Sequence, residues 1–213
     1  MEVAIAGGHG KIAMLLGRLL VERGDIVWGL IRNPEHKDDL HAAGIEPVLC
    51  DLEGDGDVAA AVRGAEAVVF AAGAGPGSGA ERKKTVDLGG ALKLIEAAKQ
   101  EGVRRYLMVS SIGAGKPPAA GGGVFGEYLR AKAAADRALE SSGLEYTIVR
   151  PGPLTDDPPR GPVKVGQDLE RVEISRADVA AVLAACLELR HTIDRSFEVV
   201  GGETAIDAAL ASI

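Results

Sequence analysis

Tyr128 and Lys132 stand four residues apart in Tyr128-Leu129-Arg130-Ala131-Lys132, a spacing that puts both on one face of a helix. An ammonium beside a phenol favours the phenolate and draws a tyrosine down from its reference pKa of about 10. Such a tyrosine can give or take a proton at a carbonyl or hydroxyl oxygen. Ser110-Ser111 ends the preceding predicted strand, and either hydroxyl can hold that same oxygen. The two letters of YxxxK are a weak signal alone, since a surface Tyr/Lys pair writes the same pattern. Their weight comes from position, one helix after a Ser-Ser strand end in a chain that also carries a glycine turn.

That turn is Gly7-Gly8-His9-Gly10-Lys11-Ile12-Ala13, between a β-branched run and an apolar helical period. Gly7 permits a tight turn, Gly10 lets the backbone approach a pyrophosphate, and small Ala13 allows close helix–strand packing. Backbone N–H groups near Lys11 and Ile12 then meet phosphate charge along the helix dipole. The next strand ends Leu30-Ile31-Arg32-Asn33. A carboxylate there would accept from the ribose 2′-OH of NAD, whereas Arg32 can pair bidentately with the 2′-phosphate of NADP. A charged hydrogen bond of that kind contributes on the order of 1.5–3 kcal/mol, so NADP is the expected cofactor. Asp51-Leu52, ending the third strand, can reach the adenine. Ala71-Ala72-Gly73, ending the fourth, is small enough for the backbone to lie against the ribose.

The elements that would position these groups alternate along the chain. Predicted strands are Val3–Ala6, Ile26–Ile31, Pro47–Leu49, Ala67–Ala71, Arg105–Ser110 and Tyr146–Arg150, with another near Phe197–Val200. Ile12, Leu15, Leu16, Leu19 and Leu20 form the stripe of a helix packed on a sheet, stopped at Gly24. Further helices are predicted from about Thr85 to Gln100, Val124 to Ser142 and onward from Asp178. Apolar strands separated by helices give an α/β, doubly wound parallel sheet, the Rossmann fold. Gly73–Gly79 and Gly113–Gly123 read as loops at the sheet's C-terminal edge, where open α/β folds hold ligands. Residues 1–213 read as one domain, with 151–213 supplying a small substrate-side extension.

Composition narrows the class. The chain has 213 residues, 46% hydrophobic and 26% charged, and only 3% aromatic, so its core must be aliphatic. A net charge of −7 argues against nucleic acid as a partner. Cys50 and Cys186 read as small reduced core residues, and His9, His36, His41 and His191 have no metal-ligand spacing. Trp28 reads as core. No apolar run approaches the roughly 20 residues of a membrane span, and Met1-Glu2 leads straight into a strand without a basic leader. The expected setting is cytoplasmic, with a small-molecule substrate, no membrane partner, and monomer and homodimer both open.

Taken together, Gly7–Ala13, Ala71-Ala72-Gly73, Val109-Ser110-Ser111, Tyr128–Lys132, Arg150-Pro151-Gly152-Pro153-Leu154 and Ser175–Ala180 resemble an atypical short-chain dehydrogenase/reductase, from the NAD(P)-dependent epimerase/dehydratase-like branch. The resemblance implies cofactor contacts at Gly7, Gly10, Lys11, Ile12, Arg32, Asp51, Leu52, Ala72 and Gly73. It implies catalytic roles for Ser111 (or Ser110), Tyr128 and Lys132, the lysine also holding the nicotinamide ribose, with the segment from Pro151 beside the nicotinamide. Asp87 falls where the wider superfamily usually has a catalytic Asn, and a carboxylate there would position a water or the lysine. The implied activity is NADP-dependent hydride transfer to or from a small carbonyl, quinone-like or flavin-like substrate. A non-catalytic NADP(H) sensor acting on a protein partner is the alternative, and the chain is short for a nucleotide-sugar epimerase.

Overall fold

The computed structural model describes residues 1–54, 56–73 and 83–213. Its main sheet contains β1 (Glu2–Ala6), β2 (Ile26–Ile31), β3 (Glu46–Leu49), β4 (Ala67–Phe70), β5 (Arg105–Val109), β6 (Glu145–Pro151), β10 (Arg195–Gly201) and β8 (Val163–Gly166). They lie in the order β3-β2-β1-β4-β5-β6-β10-β8, all parallel except β8, which pairs antiparallel with β10. A two-stranded sheet of β7 (Leu154–Thr155) and β9 (Ile174–Ser175) sits apart. This is the doubly wound Rossmann arrangement expected from the sequence. Its order reverses between β1 and β4, the switch point at which such sheets bind ligands.

Alternation along the strands divides the core between two faces. Val3 and Ile5 of β1, with Leu107 and Val109 of β5, join one cluster under α1 (Lys11–Arg23) and α6 (Arg176–Glu188). Ala4 and Ala6, with Tyr106 and Met108, join the other. That second cluster lies under α3 (Val58–Val62), α4 (Ala91–Gln100) and α5 (Gly123–Glu140). Both faces of the parallel strands are therefore buried, which is why they read as unbroken apolar runs. Among the described residues, no helix is long and apolar enough to cross a membrane.

Arg105, 8% exposed, ties β5 to β6 and to the end of α6. Its guanidinium donates to Glu145 O at 2.8 Å, Thr147 Oγ1 at 2.8 Å, Cys186 O at 2.6 Å and Thr192 Oγ1 at 3.1 Å. Arg105→Leu strands these buried acceptors, and chemical denaturation is expected to show a loss of about 3 kcal/mol; a change under about 0.5 kcal/mol would show that relaxation or water replaces the guanidinium.

Most element boundaries shift by one or two residues from the sequence expectation, with three larger corrections. The helix expected from Thr85 begins with π-helical turns over Lys83–Gly90 before α4. Gly89-Gly90 lowers helical preference there, and the wider turn carries Asp87 inward to 1% exposure. The short elements α2 (Lys37–Ala42), α3, α7 (Ile206–Leu210), β7, β8 and β9 had no sequence expectation. Trp28 is only half-buried, packed at the margin of the second cluster. The expected loop Gly73–Gly79 lies outside the described residues beyond Gly73.

Candidate functional site

The glycine turn has the geometry a dinucleotide needs. Gly7 has φ +77°, and a Cβ on it would stand 2.7 Å from Ala72 Cα, so only glycine fits. Gly8 is equally constrained: its Cβ would stand 2.6 Å from Gly29 Cα on β2, a contact the sequence reading missed. Gly10 precedes α1 with extended backbone and no side-chain cap. The first-turn N–H groups of Lys11, Ile12 and Ala13 therefore have no cap from Gly10 and suit an anion.

A cleft of about 310 Å³ opens from this turn. Of the residues expected at the cofactor, Gly7, Gly10, Arg32, Asp51, Leu52, Ala72 and Gly73 line it. Glu53, Val86, Cys50, His9 and His36 line it as well. Arg32 stands at the mouth, its Nη1 donating to Glu53 Oε2 at 2.9 Å, and Glu53 also accepts from Thr85 Oγ1 at 2.7 Å. The rings of His9 and His36 stack at 3.7 Å with planes 14° apart, and His9 Nε2 lies 2.8 Å from Asp39 Oδ2. The signal in sequence was a histidine inside the glycine turn and another four residues past Arg32. Cys50, expected in the core, is half-buried at the cleft because it falls just past the end of β3; only Cys186 is fully buried. Burial pushes the Cys186 thiol up to about 12.

Lys11 stands at the helix start, where its backbone N–H is the group expected to meet phosphate. Its backbone opens α1, but its ammonium turns to Asp156, which also accepts from Arg176 Nη1 at 2.7 Å. A long flexible side chain at the helix start finds the nearest carboxylate instead of the cleft. Ile12 is 9% exposed and packs into the core, leaving only its N–H for a ligand. Pro151 is buried, its carbonyl accepting from Ile112 N at 2.9 Å; it holds the β6 end against the segment after β5.

The second constellation assembles where β5, α5 and the π-helical turns meet. Lys132, 4% exposed, donates to Val109 O at 3.0 Å and ion-pairs with Asp87 Oδ1 at 3.2 Å. Its Nζ stands 5.9 Å from the Tyr128 ring centroid. Burial alone would lower the Lys132 ammonium, but Tyr128, Asp87 and Asp136 outweigh it and hold it above its ordinary value. Asp87 thus positions the lysine directly. The two serines separate: Ser110 Oγ donates to Asp136 Oδ2 at 3.0 Å, and Arg150 Nε donates to the same oxygen at 2.9 Å. Burial pushes the Asp136 carboxyl up against the pull of Arg150 and Ser110. Among the described residues Ser111 Oγ has one long contact, 3.4 Å to Ile112 O. Asp136 continues the Tyr128–Lys132 stripe by four more residues, so one helix face carries all three.

A switch-point cleft, an uncapped glycine turn and a tyrosine–lysine helix define a nicotinamide-dinucleotide-binding protein of the short-chain dehydrogenase/reductase type. The NAD(P)H-binding family matches residues 7–189. A Bacillus subtilis protein named as an uncharacterized sugar epimerase is 40% identical over 215 residues, covering 100% of both chains. A Bacillus halodurans structure carrying an NAD-dependent epimerase/dehydratase designation superposes with TM-score 0.94 at 38% identity over 100% of both chains. An oxidoreductase structure from Lactococcus lactis gives 0.86 at 26% identity, covering 100% of this chain and 96% of its own. The chain belongs to the NAD(P)H-binding family of atypical short-chain dehydrogenase/reductases.

Proposed function

We propose that the chain is an NADP-dependent oxidoreductase acting on a small carbonyl, quinone-like or flavin-like acceptor. The observation that carries the cofactor half is Arg32 at the cleft mouth beside His36, with no carboxylate ending β2. Glu53 already pairs with Arg32, so a 2′-phosphate must displace it. That exposed pair contributes about 0.2–1 kcal/mol, and a dianionic phosphate that takes two hydrogen bonds from the guanidinium fork is expected to outcompete one carboxylate oxygen. Gly7, Gly10 and the first N–H groups of α1 would hold the pyrophosphate, and Leu52, Ala72 and Gly73 the adenosine half. The nicotinamide, when bound, supplies hydride chemistry. Ser111 and Tyr128 would hold the acceptor's oxygen, with Tyr128 giving or taking the proton at Oη, and Lys132 stays charged beside them through Asp87.

Titration with NADPH and NADH at fixed ionic strength is the test. NADPH is expected to bind at least about tenfold more tightly, Arg32→Ala to erase the difference, and Glu53→Gln to widen it. Equal binding of the two cofactors would make Arg32 a surface residue and end the NADP assignment. The depth of Lys132, committed to Asp87 and Val109, favours a second reading as a non-catalytic NADP(H) sensor acting on a protein partner. Steady NADPH oxidation with any small acceptor would exclude it.

A further inference from the structure

Three of the large apolar side chains that stand in solvent, Val124 (52% exposed), Phe125 (49%) and Val172 (46%), belong to two segments that meet beside Tyr128. Val124 and Phe125 are in the first turn of α5, and the Phe125 ring lies 6.0 Å from that of Tyr128. Val172 is on the strap that crosses the ends of β6 and β10. Arg171, its neighbour, places its guanidinium carbon 5.1 Å from the Phe125 ring centroid. A Cβ on Gly113, just past the β5 end, would stand 3.7 Å from Arg171 Nη1. Arg171 therefore bridges the apolar turn and the strand end that presents Ser111.

The strap is pinned on both sides of Arg171. Leu169 N donates to Glu198 Oε2 at 2.7 Å, Gly201 N donates to Glu173 O at 3.1 Å, and Ile174 N donates to Pro153 O at 3.0 Å. Val172 O would stand 2.3 Å from a Cβ on Gly152, so the β6 end admits no bulk beneath it. Neighbouring cations are committed: Lys116 to Asp168, Arg130 to the carbonyls of Pro118 and Gly121, and Arg176 to Asp156. Arg171 has no ion pair among the described residues. Glu170 and Glu173 flank it in sequence without coming within pairing distance of it.

We propose that Phe125, Arg171 and Val172 form the acceptor-recognition wall of this site, selecting a planar conjugated molecule that carries an anionic group. A flat π-system suits the exposed Phe125 and Val172 surfaces, and a phosphate or carboxylate suits a guanidinium fixed beside them. Because the strap is held before binding, little ordering is lost when the anion arrives. The proposal rests on the oxidoreductase reading above for its site, while its binding test stands apart from turnover.

Riboflavin and FMN make the probe pair, since they share one ring system and differ by a phosphate. Equilibrium binding to the full chain, followed by quenching of flavin fluorescence with and without NADP⁺, is expected to favour FMN by at least roughly fivefold. Arg171→Ala should equalise the two without moving Tm, and Phe125→Ser should weaken both by a similar factor of about five. Equal wild-type affinities, discrimination that survives Arg171→Ala, or no binding of either flavin would overturn the proposal. So would a Phe125→Ser variant that changes oligomeric state and leaves flavin affinity alone, because the patch would then be an interface between copies. Discriminating binding without NADPH oxidation would instead sink the oxidoreductase reading and leave this wall standing.

Discussion

Lys132→Met is expected to lower unfolding stability by about 3–5 kcal/mol, because it leaves the Asp87 carboxylate buried opposite an apolar chain. For a domain of this size, that corresponds to a fall in Tm on the order of 10 °C. The geometry gives the reason. Asp87 is 1% exposed and Lys132 4% exposed, so water does not replace the contact between them when one of the two charges is removed. The second substitution Asp87→Asn, made in the same chain, keeps the side-chain shape and takes away the charge; it should restore most of the loss. Turnover should not return with it, since the amide replaces the structural partner of Lys132 but not its ammonium beside Tyr128. A double variant as unstable as the single would show that the ion pair is not what Lys132 contributes to the fold. The pair also has a pH signature. Lys132 is held above its ordinary value of 10.5 in the folded chain. Its stabilising contribution is therefore complete below that value and is lost as pH rises through the raised folded value. The wild type should lose stability in that alkaline window more steeply than the double variant.

The parts legible in the sequence were those carried by short-range pattern. The unbroken apolar run of β1 and the i, i+3, i+4 stripe of α1 describe single elements, and their order implies the doubly wound sheet. Gly7 was readable because a tight turn demands glycine wherever it occurs. Gly8 was not, because its reason is Gly29, a residue on the next strand with nothing local to mark it. Ser110 and Ser111 could not be told apart for the same reason: the choice is made by Asp136 and Arg150, 26 and 40 residues beyond Ser110. Sequence position places the Lys11 backbone N–H at the start of α1 but does not tell where its four-carbon side chain goes, which is to Asp156. The strap bearing Arg171 was also opaque. It has no period and is held by carbonyls and Glu198, so only the assembled sheet edge shows where it runs.

Tyr128→Phe is expected to reduce kcat for a carbonyl acceptor by about a hundredfold or more, with a smaller change in KM. Tyr128 is half-buried, between Phe125 on the open side and Lys132 on the closed side. Its hydroxyl can thus serve a bound oxygen while its ring stays packed, and phenylalanine keeps the packing while removing the proton. Ser111→Ala should lower kcat as well, by about tenfold, because on the proposed function its hydroxyl, held among the described residues by one 3.4 Å contact, is the one that meets substrate. Ser110→Ala makes the contrast. Its hydroxyl belongs to the buried Asp136–Arg150 pair, so the variant should lose about 1–2 kcal/mol of stability and keep its turnover. The pattern across acceptors then separates two chemistries in one site. An acceptor that takes hydride onto a ring without needing a proton from the protein should be indifferent to Tyr128→Phe, yet still depend on Arg171 for its anion. A carbonyl substrate whose rate survives Tyr128→Phe would remove the tyrosine from the mechanism and leave the site to bind, orient and exclude water around the transferred hydride alone.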